Sequence, residues 1–235
     1  EAFKDNPNFL RKYLYADWSA VDMINQLIPS EVIISSAERI ENGLEVTSMG
    51  IDVARYGDDK TVFTILKNGN IELIESYEQT SITEIVTRSI QLIHDYSIDP
   101  NYVGIDSVGV GAGVVDNLKS AGYDVIELQG GSKPEESQYE EAFLPFNLRS
   151  QMYYELRRDM MNGQIGNLTD ETLKLELQSI QYEIYSDKKV KVVSKEVIKK
   201  LLGRSPDYAD SLVYANLVKT YRGGIKWYMP ISGGL

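Results

Sequence analysis

The sequence contains no cysteine and a single histidine. The first absence excludes disulfides and thiolate-held metals and suits a reducing compartment. The second leaves histidine-based catalysis poorly supported, because His94 falls late in an amphipathic stretch with no obvious partner. No run of about 18 apolar residues occurs, so no helical membrane span is expected. The opening segment, EAFKDNPNFL, is polar and mixed in charge, unlike a secretory leader. The chain starts at Glu1 rather than Met and is expected to be a fragment of something longer.

What is present describes a globular protein: 235 residues, 43% hydrophobic and 25% charged, enough for one large domain with a substantial core. Positive charge is scarce overall, and the net charge is -11. That sign is unfavourable for a nucleic-acid partner, although local stripes matter more than totals. Lys188, Lys189, Lys191, Lys195, Lys199, Lys200 and Arg204 crowd one short stretch in which Asp187 and Glu196 are the nearby acids. The stripe reads either as a solvated face or as a surface for a phosphate backbone.

Residues 1–45 are expected to form a linker or leading arm, with Trp18, Val21, Ile24, Leu27 and Ile28 at helical spacing before Pro29. The main domain spans 46–221, and 222–235 is expected to be a loose tail. Val46–Ala54, Thr61–Leu66 and Ile71–Tyr77 read as strands, the last two joined by an Asn68-Gly69-Asn70 turn. Ser81 is placed to cap a helix reaching about Tyr96. A strand at Tyr102–Asp106, a helix over Val110–Ala121 and a strand at Val125–Leu128 follow, giving the order βββαβαβ. Residues 130–146 read as a loop. Helices are expected at Asn147–Asn162, from Glu171 to about Gln181, and at Lys195–Leu202, with a hairpin of Tyr182–Tyr185 and Val190–Val193 between the last two. Ser205 and Pro206 read as the cap and first turn of a last helix reaching about Tyr221.

Three acidic segments carry the chemistry. Asp52 sits inside the apolar run Gly50-Ile51-Asp52-Val53-Ala54, and Asp106 repeats the pattern in Gly104-Ile105-Asp106-Ser107. Asp207 and Asp210, three apart, share a helix face. Taken singly, each has a bland reading: a strand end, a helix cap, or a favourable partner of the helix dipole. Together they place carboxylates where burial costs several kcal/mol unless something compensates. A hard divalent cation, which prefers oxygen ligands, is an economical compensation.

The segments Met49-Gly50-Ile51-Asp52-Val53-Ala54-Arg55-Tyr56-Gly57-Asp58-Asp59, Gly104-Ile105-Asp106-Ser107 and Gly203-Arg204-Ser205-Pro206-Asp207-Tyr208-Ala209-Asp210-Ser211-Leu212 resemble the three acidic motifs of bacteriophage terminase large-subunit nuclease domains. Asn147-Leu148-Arg149 before a long helix, and Lys195 upstream of the third motif, fit the same pattern. The resemblance covers roughly 45–220. It implies an α/β, ribonuclease H-like mixed sheet, with the first three strands antiparallel and helices on both faces. It implies two-metal hydrolysis of double-stranded DNA with Mg²⁺ or Mn²⁺, catalytic residues Asp52, Asp106 and Asp210, and Asp207 as a further metal ligand. Lys195 would neutralise charge near the scissile phosphate, and the basic stripe would hold the DNA backbone. The implied partners are a packaging ATPase domain of the same full-length chain, a portal and a small terminase subunit, in the cytoplasm of a bacterial host and with no membrane involved. No Gly-x-x-x-x-Gly-Lys-[Ser/Thr] occurs, so the chain would be the nuclease half alone.

Other readings fit less well. Gly109-x-Gly111-x-Gly113 lacks the dinucleotide spacing and reads as a tight strand-to-helix turn. Asp58 and Asp59 read as an exposed turn rather than ligands. An actin-like or sugar-kinase-like ATP-binding fold also opens on Gly-Ile-Asp strands, but needs two such lobes. A docking module that kept the fold and lost cleavage would have no need of all the acids.

Overall fold

A computed structural model describes residues 25–38, 40, 43–54, 59–134, 144–185, 189–222 and 225–226. Five strands form the main sheet: β1 (Thr47–Asp52), β2 (Thr61–Lys67), β3 (Asn70–Tyr77), β4 (Val103–Asp106) and β5 (Ile126–Leu128), in the order β3-β2-β1-β4-β5. The β1-β2 and β2-β3 pairs are antiparallel, and β1-β4 and β4-β5 are parallel, as the motif order implied. Asn68 and Gly69, both at positive φ, make the two-residue β2–β3 turn that the sequence predicts.

The alternation of side chains along β1 and β4 separates two cores. Met49, Ile51, Val103 and Ile105 face one side and pack with α2 (Ile82–Asp95) and α3 (Val110–Ser120) through Ile85, Leu92, Val114 and Leu118. Ser81 caps α2 in a reciprocal box with Glu84. On the other side lie α1 (Ser30–Ser35), α4 (Leu148–Met161), α5 (Glu171–Ser179), α6 (Lys195–Leu202) and α7 (Asp207–Val218). Helix α7 is buried nearly all round, with Leu212, Val213 and Leu217 in the second core. Its far end is fastened to α4, where Asp159 receives the Lys219 ammonium at 3.0 Å and the Asn216 amide at 3.1 Å.

The two glycines of the Gly-Ile-Asp repeats explain how α7 lies so close. A Cβ on Gly50 would stand 1.9 Å from the Ser211 carbonyl oxygen, and one on Gly104 would stand 2.8 Å from Val218 Cγ1. Each repeat therefore has one logic: glycine admits the helix, isoleucine fills the opposite core, and aspartate, two residues past the glycine, points to the helix side.

The second sheet has the order β6-β8-β7, with β6 (Leu144–Pro145), β7 (Tyr182–Tyr185) and β8 (Lys189–Val192). The hairpin was expected; β6 was not, since 130–146 read as loop, and 135–143 lie outside the described residues. Three further expectations need correction. Leu27 and Ile28 are not helical: Leu27 donates its N–H to Ile180, Gln26 bridges Gln181, and the helix begins only after Pro29. Trp18, Val21 and Ile24 lie outside the described residues. Ser205 is not the cap of α7, whose N-cap is Pro206, and the helix ends at Val218 rather than near Tyr221. Beyond it, Tyr221–Arg222 and Ile225–Lys226 form a two-residue ladder, and the rest of the expected tail lies outside the described residues.

Candidate functional site

Parallel pairing of Met49 with Val103, Gly50 with Gly104 and Ile51 with Ile105 brings Asp52 and Asp106 to the ends of adjacent strands, on the same face. Helix α7 crosses that face and adds Asp207, Asp210 and Tyr214 from successive turns. Four acids separated by up to 158 positions thus gather at one end of the sheet, each within electrostatic reach of Asp52.

Each has a different set of partners. Asp210, 1% exposed, accepts the Tyr153 hydroxyl at 2.7 Å and the Arg149 guanidinium at 3.4 Å through Oδ1. Its Oδ2 faces the Lys195 ammonium at 2.9 Å. The same ammonium stands 3.3 Å from Asp52 Oδ1, and Asp52 is 4% exposed. Asp106 accepts the Val108 N–H at 3.1 Å and a hydrogen bond from Tyr214. Asp207 accepts the Lys60 N–H at 2.8 Å and a bond from Ser205, which turns that hydroxyl away from capping the helix.

The electrostatics divide the acids. Burial pushes Asp52 well above the usual carboxylate range; Lys195 opposes this, while Asp210, Asp207 and Asp106 reinforce it. Burial also raises Asp106 and Asp207. Asp210 is pushed up by burial too, but Lys195 and Arg149 outweigh that and hold it below its ordinary value. Lys195 loses by burial and gains more from Asp210 and Asp52, so its ammonium is firmly protonated. In the protein alone, Asp210 and Lys195 are a settled ion pair and Asp52 is the acid short of positive charge.

Among the described residues, no group of three or more Asp, Glu or His side chains is gathered tightly enough to hold a metal ion unaided. The chemistry still fits Mg²⁺ or Mn²⁺. Magnesium sites commonly use one or two carboxylates and complete their shell with water and substrate phosphates rather than an all-protein cage. Asp52 and Asp106, raised by burial, and a single ammonium shared by Asp52 and Asp210 suit that arrangement. Asp52, Asp106 and Asp210 are the residues that would hold such ions, with Asp207 beside them.

The basic stripe is less free than the sequence suggests. Lys195 belongs to the acid cluster. Lys199 pairs with Asp59 at 2.6 Å, Arg204 with Glu176 at 3.3 Å and Lys191 with Glu183 at 3.5 Å. Lys189 and Lys200 are exposed, and Lys188 lies outside the described residues. Asp59 is half-exposed in that pair and near enough to Asp207 to help raise it, while Asp58 lies outside the described residues. His94 meets Tyr123 on the surface, far from the acids in topology. Sequence reasoning gave no role to Arg149, Tyr153, Tyr214 or Glu176. Arg149 was visible only as part of the Asn147-Leu148-Arg149 segment, and Tyr153, one turn on, lies on a buried face that also carries Ser150, Gln151, Glu155 and Asp159, so nothing local set it apart.

Solved structures share this architecture. The nuclease domain of the large terminase subunit of bacterial virus Sf6 matches with a TM-score of 0.68 and 20% identity, over 81% of this chain and 97% of that one. The large terminase nuclease of thermophilic phage G20c, solved with bound magnesium, matches with a TM-score of 0.55 and 20% identity, over 83% of this chain and 98% of that one. A variant of the Sf6 domain solved with manganese gives a TM-score of 0.65 at 19% identity, over 81% and 98% of the two chains. At such identity the likeness establishes the fold, which is ribonuclease H-like, and these are the nucleases that the acidic motifs resemble. No family model and no curated protein matches the chain.

Proposed function

We propose that this chain is a metal-dependent endonuclease domain that cuts double-stranded viral DNA during genome packaging. The observation that carries the reading is the side-by-side placement of Asp52 and Asp106 beneath a helix that brings Asp210 and Asp207 to the same spot. A largely buried cluster of acids with one resident ammonium suits the polyanionic backbone of DNA only when divalent cations join it.

Asp52, Asp106 and Asp210, with Asp207 beside them, would hold the ions. When bound, two such ions supply a water acidified for attack and stabilisation of the leaving 3′ oxygen. The chain's own residues set up that chemistry. Tyr153 and Arg149 hold Asp210 ionised and fix the direction of its carboxylate. Lys195 neutralises the pocket before substrate enters, and its flexible stem lets the ammonium turn to a phosphate oxygen afterwards. Lys189 and Lys200, with Lys188, would hold the DNA backbone with little sequence preference. A packaging ATPase domain of the same full-length chain would deliver the DNA.

The test is nicking of supercoiled plasmid with Mn²⁺ or Mg²⁺, using Asp52→Ala as control. Cleavage that persists in that variant, or that needs no divalent ion, would overturn the reading.

A further inference from the structure

The first turn of α7 carries two of the four acids, yet its own sequence gives it no side-chain cap. Pro206 occupies the N-cap position and has no side-chain acceptor, and the Ser205 hydroxyl is turned to the Asp207 carboxylate. A helix start leaves its first N–H groups without intrahelical partners. The partner comes from another helix. Glu176, from the middle of α5 and itself 0% exposed, accepts the Ala209 N–H through Oε2 at 2.9 Å. Its other oxygen lies 3.3 Å from Arg204 Nε, in the turn that leads into α7.

We propose that Glu176 is a positioning residue for the acid cluster: by capping α7 from outside, it fixes where Asp207 and Asp210 stand relative to Asp52. This rests on the reading of those acids as metal ligands. The physical case is one of geometry against burial. A carboxyl group with no exposure is an expensive way to fill space. What an apolar side chain does not supply is an acceptor for Ala209, the residue immediately before Asp210. Arg204 stands over the other oxygen at 3.3 Å without a hydrogen bond to it, which keeps the α6–α7 turn beside the same carboxyl group. The consequence is a division of labour around Asp210: Tyr153 and Arg149 set its carboxylate from α4, while Glu176 sets its backbone from α5. Displacements near 1 Å at such a centre are enough to disable it.

The test uses the whole chain with Glu176→Met, which keeps volume and removes the acceptor, and Glu176→Gln, which keeps an acceptor oxygen. Two readouts are needed: amide hydrogen exchange across 207–211 without metal, and the Mn²⁺ concentration giving half-maximal plasmid nicking. The methionine variant is expected to fold with a lowered Tm, because the buried Ala209 N–H loses its acceptor, while its α7 first turn exchanges roughly 10-fold faster. Its half-saturating Mn²⁺ should rise about 10-fold, with the maximal rate within about threefold at saturation. The glutamine variant should stay near the starting values on both readouts. Unchanged exchange in the methionine variant overturns the proposal. Faster exchange with unchanged Mn²⁺ dependence also overturns it, leaving a merely structural acid. Equal impairment of the glutamine variant overturns it too. If the unaltered chain neither binds Mn²⁺ nor cuts DNA, the nuclease reading fails; the exchange experiment still decides whether Glu176 holds the turn.

Discussion

Lys195 Nζ stands 2.9 Å from Asp210 Oδ2, and the same ammonium reaches Asp52 at 3.3 Å. One side chain thus keeps two buried carboxylates together in the protein alone. Replacing Lys195 by Met is expected to destabilise the metal-free chain by about 1–3 kcal/mol, because it strands buried charge. Millimolar Mn²⁺ should restore much of that loss, so the variant should show a larger Mn²⁺-induced rise in Tm than the unaltered chain. Equal rises in the two proteins would show that Lys195 and the ion do not compensate the same charge.

Tyr153 donates to Asp210 at 2.7 Å from a fully buried position. Tyr153→Phe keeps the ring and removes the donor. Hydrogen bonds to charged groups contribute about 1.5–3 kcal/mol, so urea unfolding should show a loss in that range. A change below about 0.5 kcal/mol would mean that Arg149 and Lys195 suffice to hold Asp210.

The glycines of β1 and β4 should differ in sensitivity. The Gly50 Cβ position conflicts with backbone atoms, 1.9 Å from Ser211 O and 2.4 Å from Ala215 N. At Gly104 the nearest atoms, Val218 Cγ1 at 2.8 Å and Leu128 Cδ1 at 3.0 Å, belong to side chains. Gly50→Ala should therefore cost more than about 3 kcal/mol or abolish folding, and Gly104→Ala about 1–3 kcal/mol. Thermal melts of the two variants check the order, and the reverse order would contradict the helix placement.

Stability should fall as pH rises in the absence of metal. Burial, partly offset by the Ala209 N–H and Arg204, pushes Glu176 up to about 8 from an ordinary 4.5. Between those values the folded state keeps a proton that the unfolded state has released, so the unfolded state binds fewer protons and unfolding becomes easier with increasing pH. Asp52, Asp106 and Asp207 are raised too and act in the same direction. Urea midpoints of the metal-free chain should decline from pH 5 to pH 8.5, and Glu176→Gln should flatten the decline. A midpoint that climbs over this range would contradict the burial of these acids.

Much of this site was legible beforehand because it is written as local patterns. Gly50-Ile51-Asp52 and Gly104-Ile105-Asp106 encode a buried strand, a close helix and an inward acid in consecutive positions. The antiparallel pairing of β2 with β3 followed from turn chemistry at Asn68-Gly69. What escaped was relational. Tyr153 and Asp210 are 57 positions apart, and Glu176 and Ala209 are 33 apart, so no local spacing signals either contact. The cap of α7 was misassigned because Ser205 has the chemistry of a cap, and its hydroxyl turns instead to the carboxylate of Asp207, two residues on. The basic stripe was left open between a solvated face and a phosphate surface because the acids that pair with Lys199 and Arg204, Asp59 and Glu176, come from remote parts of the chain.

Helix α7 serves as both the central beam of the second core and the mount for Asp207 and Asp210. Reactive groups carried by loops can be retuned without disturbing the rest of a protein; these are not. Any variant that shifts the beam to move the acids also disturbs the packing of Leu212, Val213 and Leu217. On the proposed nuclease reading, the acids should therefore be easier to retune from the rim, through α4, α5 or the hairpin, than from the helix that bears them.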